Sequence, residues 1–172
     1  MELVDKFDNK RQPLNISRER FEKIKGEYNQ SVHVWIINSN NELLIQKRSE
    51  TKRVYPGMWA ITGGAVDSGE LPITALYREI NEELGITVSP DETELLLSLA
   101  RTYDFVDIYL VRKDININEI VMQPEEVQEV KWVSIDEYKT LLNENQIPTS
   151  IGFYSNFVLE LIQRRIDNDW NK

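Results

Sequence analysis

Cysteine is absent from the 172-residue chain, and histidine occurs once, as His33. Without thiols there is no disulfide framework, thiolate zinc site or thiol nucleophile, and a single imidazole cannot build a multi-histidine metal centre. Chemistry therefore has to run on carboxylates, hydroxyls, lysine or arginine. Positive charge is also in short supply: 20 Lys+Arg stand against 29 Asp+Glu, a formal net charge of −9. That balance argues against nucleic acid as a partner, because phosphate backbones are held by basic surfaces, and favours a small molecule. No apolar run approaches the length of a membrane span, and Met1 to Lys6 opens without a signal-like apolar stretch. The chain accordingly reads as cytoplasmic, with no membrane partner. What it does have is core-forming residues. At 20.2 kDa, with 41% apolar and 28% charged residues, it is sized for one compact domain spanning 1–172.

The charges are unevenly placed. Asp67, Glu70, Glu79, Glu82, Glu83, Asp91, Glu92 and Glu94 share their stretch with one base, Arg78. Just upstream, Lys47, Arg48, Lys52 and Arg53 face only Glu50. An acidic segment preceded by a basic one suggests a bound cation beside a bound anion.

Short apolar ends around Asp8-Asn9-Lys10 predict a hairpin between Leu3 and Leu14, followed by a polar stretch to Gln30. Together these form an N-terminal extension over 1–30. Ser31 to Ile37 and Glu42 to Gln46 are rich in β-branched and aromatic residues and flank the turn formers Asn38 to Asn41, which predicts strand, turn, strand. Tyr55-Pro56-Gly57 reads as a turn and Met58 to Thr62 as a short strand, while Gly63-Gly64 marks a bend or a close backbone approach. Pro72 suits a first helical turn and Gly85 a helix C-terminus, and between them Ile73, Leu76, Tyr77, Ile80 and Leu84 recur at helical spacing. Leu95 to Arg101, Phe105 to Val111 and Val127 to Val133 are further strands. Ser134 to Glu137 is a capping box opening a helix to about Asn143, and a last helix covers roughly Phe153 to Ile166. These boundaries give a core over 31–145 and a C-terminal helical segment over 146–172.

At 100° per residue, Glu79, Glu82 and Glu83 fall within about a 100° sector of the helix, off its apolar stripe. Like charges three and four residues apart repel, and Arg78 is the only base nearby to offset them. A hard divalent cation relieves such a cluster. Magnesium takes carboxylate and carbonyl oxygens and keeps sites for water and phosphate, which suits carboxylates beside a Gly-Gly carbonyl.

Spelled out, the segment reads Gly64, five residues, Glu70, seven residues, Arg78-Glu79-Ile80, one residue, Glu82-Glu83, one residue, Gly85-Ile86. At every defined position this resembles the signature box of the Nudix hydrolases. Leu43 to Arg48 followed by Tyr55 to Trp59 is similar to the strand and turn before that family's box, and Val130 to Ser134 resembles a later strand leading into a helix. The likeness covers about Ser31 to Leu142. Thr62 departs from it, since many members carry proline before the two glycines. The substitution is expected to touch the turn and leave the carboxylates unaffected.

The resemblance implies an α/β fold, a Nudix-like α/β/α sandwich with a mixed β-sheet, here with a short N-terminal β-hairpin extension. It implies that Glu82 and Glu83 bind Mg2+ or Mn2+, that Glu79 is a further ligand or the general base, and that Gly64 offers its carbonyl. Arg78 would orient the carboxylates with Glu70 as its ion-pair partner, and Arg48 would contact a substrate phosphate. A fourth ligand from outside the box has five candidates: Asp104, Asp107, Glu125, Glu126 and Glu129. The implied reaction is hydrolysis of a diphosphate linkage in a nucleoside diphosphate derivative or related organic pyrophosphate, a small-molecule substrate. Self-association as a homodimer stays open.

Plainer readings accompany these. A basic strand edge can serve only to prevent mispairing, His33 in an apolar strand suits a structural role, and Tyr55, Trp59, Tyr103 and Phe105 suit a core as well as a nucleobase. The N-terminal hairpin and Val32 to Trp35 resemble Nudix proteins related to type I isopentenyl-diphosphate isomerases. That alternative reaction relies on a cysteine and a histidine-rich metal site, and this chain lacks both. A second alternative, a non-catalytic nucleotide-ligand binding module, is disfavoured by the intact set of box carboxylates.

Overall fold

The structure, a computed structural model, describes residues 2–169; positions 170–172 of the expected C-terminal segment lie outside it. In chain order its strands are β1 (Leu3–Phe7), β2 (Pro13–Glu19), β3 (Asn29–Ile37), β4 (Leu43–Arg48), β5 (Trp59–Ala60), β6 (Thr62–Ala65), β7 (Thr93–Ala100), β8 (Asp104–Arg112) and β9 (Val127–Val133). The helices are α1 (Pro72–Leu84), between β6 and β7, and α2 (Ile135–Asn143) and α3 (Thr149–Asp169) after β9.

A mixed seven-stranded sheet is built around β3, which pairs in parallel with β8 from Asn29 opposite Asp104 to Ile37 opposite Arg112. Alternate side chains of a strand point to opposite faces, so β3 feeds two cores. Val32, Val34 and Ile36 meet Ala75, Leu76, Ile80 and Leu84 of α1, the stripe expected from the sequence. Trp35 and Ile37 face the other way, against Tyr138 of α2 and Tyr154, Val158 and Ile162 of α3. The layers are therefore α1, sheet, and α2 with α3. Each fully buried Leu or Ile in them contributes roughly 1.5–3 kcal/mol. No helix among the described residues is long and apolar enough to cross a membrane.

The hairpin of β3 and β4 opens just past its turn: the pairs Ile36 with Leu44 and Ile37 with Leu43 are followed by divergence. The 59–65 segment fills the gap, with β5 antiparallel to β4 and β6 antiparallel to β3. The expected strand from Met58 to Thr62 is thus two short strands, because Ile61 marks the change of partner. Gly63 and Gly64 lie inside β6, and a Cβ on Gly63 would come within 2.4 Å of the Val32 carbonyl oxygen. Close approach, and not a bend, is what these glycines permit here.

Two other expectations shift. β2 continues to Glu19, past the expected end at Leu14; Leu14 and Ile16 alternate with Asn15 and Ser17 but are exposed, and Arg18 and Glu19 add no apolar residue to mark its end. α3 begins at Thr149 instead of Phe153; the Pro148 carbonyl accepts the Ile151 and Gly152 N–H groups, and Gly152 interrupts the apolar spacing there.

β1 and β2 form a separate ribbon tied to the sheet at its tip. Arg11, with φ 61, donates from Nη1 and Nη2 to the buried carboxylate of Asp107 at 2.8 and 2.5 Å, and Ser98 also bonds Asp107. Arg11→Ala leaves that buried acid with only a hydroxyl. The expected cost is about 1–3 kcal/mol, read as a fall of roughly 2–4 °C in melting midpoint per kcal/mol. An unchanged midpoint would show that the tip contributes nothing to the fold.

Candidate active site

Helix α1 carries most of the expected site. Leu71 is extended before Pro72, and Gly85 closes the helix at φ 67 with its N–H bonded to the Asn81 carbonyl. β6 lies against the helix so closely that a Cβ on Gly64 would fall 2.0 Å from Oε1 of Glu79. The glycine makes room for the carboxylate.

Arg78 organises the face. Its Nε and Nη2 donate to the two oxygens of Glu70 at 3.1 and 2.9 Å, while Nη1 donates to Glu79 at 2.9 Å and Glu82 at 3.1 Å. A further bond runs from Nη2 to the Ala65 carbonyl at 3.0 Å. Only a planar guanidinium presents enough donors in fixed directions to do this, so lysine would not substitute. The Glu70 bonds and the neighbouring carboxylates hold Arg78 firmly protonated. Glu70 also accepts the Asp67 N–H at 3.1 Å, which fixes the loop before the helix.

Glu83 is placed differently from its neighbours. Glu82 is 53% exposed, but Glu83 is only 4% exposed, turned inward beneath β4. Gln46 Nε2 donates to Glu83 at 2.8 Å, and Thr62 Oγ1 donates to the Gln46 amide oxygen at 3.2 Å. The departure at Thr62 therefore does reach the carboxylates, contrary to the sequence expectation: its hydroxyl sets which end of the Gln46 amide faces Glu83. Gln46 carried no sequence signal of this role. Burial, with the Glu79 charge adding to it, pushes the Glu83 carboxyl up to about 8. Burial also raises Glu79, against the opposing pull of Arg78.

Arg48, at the end of β4, donates from Nε and Nη2 to the Val54 carbonyl at 3.1 and 2.9 Å, so its fork shapes the loop that follows. Its charge still acts on Glu83. Among the five candidates outside the box, Asp104 is engaged by Arg101 and Asp107 by Arg11, whereas Glu126 also acts on Glu83 through its charge. Lys52 pairs with Glu126. His33 is half-buried against the Tyr154 hydroxyl, and desolvation depresses it to about 3. Trp59 and Phe105 are core residues, Tyr55 bonds Thr149, and Tyr103 is exposed. Two shallow hollows, one beside Asn38 and Lys113 and one beneath Pro56 and Gln146, include none of the box residues. Of the three carboxylates on the helix, Glu82 is exposed, Glu79 half-buried and Glu83 buried.

The NUDIX domain family model matches residues 27–154. The chain belongs to the Nudix family. A Nudix hydrolase of Listeria innocua is 32% identical over 164 residues, covering 94% of this chain and 95% of the relative. The nucleoside triphosphatase NudI of an Enterobacter species is 33% identical over 120 residues, covering 63% of this chain and 85% of that one. A solved structure from Deinococcus radiodurans shares the fold with a TM-score of 0.74 at 21% identity, over 95% of this chain and 98% of the other. The chain is thus a Nudix-type pyrophosphohydrolase with the family's mixed sheet between helices.

Nudix enzymes generally use divalent metal ions, and the donor set here fits one. Glu79, Glu82, Glu83 and the Gly64 carbonyl are all hard oxygens, and half-buried Glu79 and buried Glu83 are near enough for their charges to repel, which a cation would relieve. Among the described residues, no three acidic or imidazole side chains are gathered to hold an ion as they stand. Arg78 draws Glu79 and Glu82 to itself, and Gln46 holds Glu83.

Proposed function

We propose that this Nudix enzyme hydrolyses a diphosphate linkage in a nucleoside diphosphate derivative or related organic pyrophosphate, using Mg2+ or Mn2+. The observation that carries the reading is the pair of neighbouring acids, half-buried Glu79 and buried Glu83, flanked by Gly64 on one side and the Arg78 fork on the other. Glu82, Glu83 and the Gly64 carbonyl are the ligands, with Glu79 adjoining them. A bound divalent cation supplies charge neutralisation for the diphosphate and lowers the pKa of water. Glu79 would take a proton from the attacking water while the water oxygen bonds to phosphorus in line with the bridging oxygen, whose bond to that phosphorus breaks and which leaves with the electron pair on the departing phosphate. Arg78 and Glu70 keep Glu79 aimed, and Arg48 takes a phosphate oxygen. The extension, the core and the C-terminal helix act as one domain, and the name of the NudI relative favours a nucleotide substrate.

A panel of nucleoside di- and triphosphates, dinucleotides, nucleotide sugars and prenyl diphosphates, assayed with each metal in 18O-labelled water, tests this directly. Labelled oxygen in one phosphate product is the expected result. Conversion of isopentenyl to dimethylallyl diphosphate without phosphate release would replace hydrolysis with isomerisation.

Gly64→Ala offers an independent check. The added methyl must push the Glu79 carboxylate aside, but it meets a flexible side-chain tip and not backbone, so folding should survive. Displacing a reacting group by about 1 Å is expected to lower kcat by about 10–100-fold. Full activity in that variant would mean that Glu79 does not work from its present position.

A further inference from the structure

The N-terminal extension contains none of the box residues, yet it ends beside them. After β2 the chain turns at Arg20 and Phe21, and this turn is pinned from several sides. The Arg20 N–H donates to the Glu2 carbonyl at 3.0 Å, and the Arg20 carbonyl accepts from Asn29 Nδ2 at 3.1 Å. Buried Lys6 donates to the Glu22 carbonyl at 3.1 Å and to Asn29 Oδ1 at 2.6 Å. An ammonium that deep is tolerated only because it is bonded, so the shape of the turn is specified and not incidental.

The turn holds Phe21 between two guanidiniums. Arg20 lies 5.5 Å and Arg53 4.8 Å from the ring centroid, and the ring is still 50% exposed. Arg53 comes from the basic loop after β4, so the aromatic ring bridges the extension and that loop. A ring covered by cations is poorly placed to stack a base, but it orients the guanidiniums and leaves their N–H edges for oxygen acceptors. Arg20 meets the exposed Glu2 at 2.9 Å, and Arg53 has no carboxylate partner among the described residues. β1, whose Leu3 pairs with Glu19 next to Arg20, accepts the Ser68 N–H at the Leu3 carbonyl and the Gly69 N–H at Asp5, both at 2.9 Å, so the turn is tied to the loop that leads into the box helix, and the Arg20 charge acts on both Glu79 and Arg48. It stands just outside the reacting centre.

We propose that Arg20 and Arg53, oriented by Phe21, form an anion-binding fork at the mouth of the active site that receives a phosphoryl group one unit beyond the cleaved diphosphate. The proposal rests on the hydrolase reading above, which places the diphosphate at the carboxylates. In a chain of net charge −9, a polyanion approaching an acidic helix needs such cations on its path. Glu2 holds Arg20 in place until phosphoryl oxygens displace it.

The test is calorimetric binding of inorganic tripolyphosphate and of pyrophosphate with Mg2+, in a Glu79→Gln background so that neither probe turns over. Arg53→Gln changes an exposed side chain and should not disturb folding. It is expected to weaken tripolyphosphate about tenfold, and Arg20→Gln with Arg53→Gln about a hundredfold, while pyrophosphate stays within twofold. Phe21→Leu should cost tripolyphosphate about threefold. Equal losses for both probes, no loss, or no tripolyphosphate binding to the parent chain would each overturn the fork. Hydrolysis of the substrate panel by the unaltered chain is scored separately. Discrimination between the probes without any hydrolysis would refute the hydrolase reading alone, and hydrolysis without discrimination would refute the fork alone.

Discussion

Glu79→Gln is expected to lower kcat by about 10²–10⁴-fold, the usual contribution of a positioned general base. The amide matches the carboxylate in shape and can still accept from Arg78 Nη1, so the fold and the Arg78 network should persist. What it cannot do is take a proton. If Glu82 and Glu83 hold the metal as proposed, with Glu79 beside them, the metal concentration for half-maximal rate should rise a few fold, and excess metal should not restore kcat. Steady-state rates against metal concentration separate the two effects. Rescue by metal would make Glu79 chiefly a ligand. Retention of half the wild-type kcat would remove both roles and turn attention to Glu126, whose charge already acts on Glu83.

Glu83 predicts a pH dependence with a definite sign. Its carboxyl is pushed up to about 8 in the metal-free protein, well above the 4.5 of a free glutamate, so it is neutral over the intervening range. A ligand must be ionised, so metal binding expels that proton. Apparent affinity should climb by about tenfold per pH unit between pH 6 and 8 and level off above. The linkage to stability runs oppositely. The folded state binds this proton more tightly than the unfolded state does, so the stabilisation is full below about pH 4.5 and is lost as pH rises towards 8. Metal-free protein should therefore melt earlier at pH 8 than at pH 6, and saturating metal should reverse the difference. Glu83→Gln is expected to abolish both slopes and to weaken metal binding at least about 100-fold, more than loss of an outer-shell partner costs.

The box helix was legible because its chemistry and its packing share one period. Ile73, Leu76, Ile80 and Leu84 point to the sheet, and Glu79 and Glu82 follow from the same wheel. The depth of Glu83 was not legible, since a helical wheel gives a direction but says nothing of what lies above it. Gln46 and Thr62 come from two strands that meet only because β3 and β4 diverge. β2 carries Leu14 and Ile16 only in its first half and leaves them exposed, so its later residues are held by backbone pairing that no buried side chain announces. Arg20 and Phe21 gain a place at the site only through the buried Lys6 and Asn29, a contact between segments whose spacing carries no local signal. Local periodicity thus gave the framework and the carboxylates, while contacts between distant segments decided burial and the rim.

In the proposed mechanism the glutamates of α1 hold a divalent cation where the diphosphate is cut. Titration of Mn2+ into the wild-type chain and into Glu82→Gln with Glu83→Gln, followed by calorimetry at pH 8, addresses it without needing a substrate. The expected result is stoichiometric binding to the wild type and loss of that site in the double variant, with the thermal midpoint of the metal-free protein not lowered. Unchanged Mn2+ affinity in the double variant would contradict it.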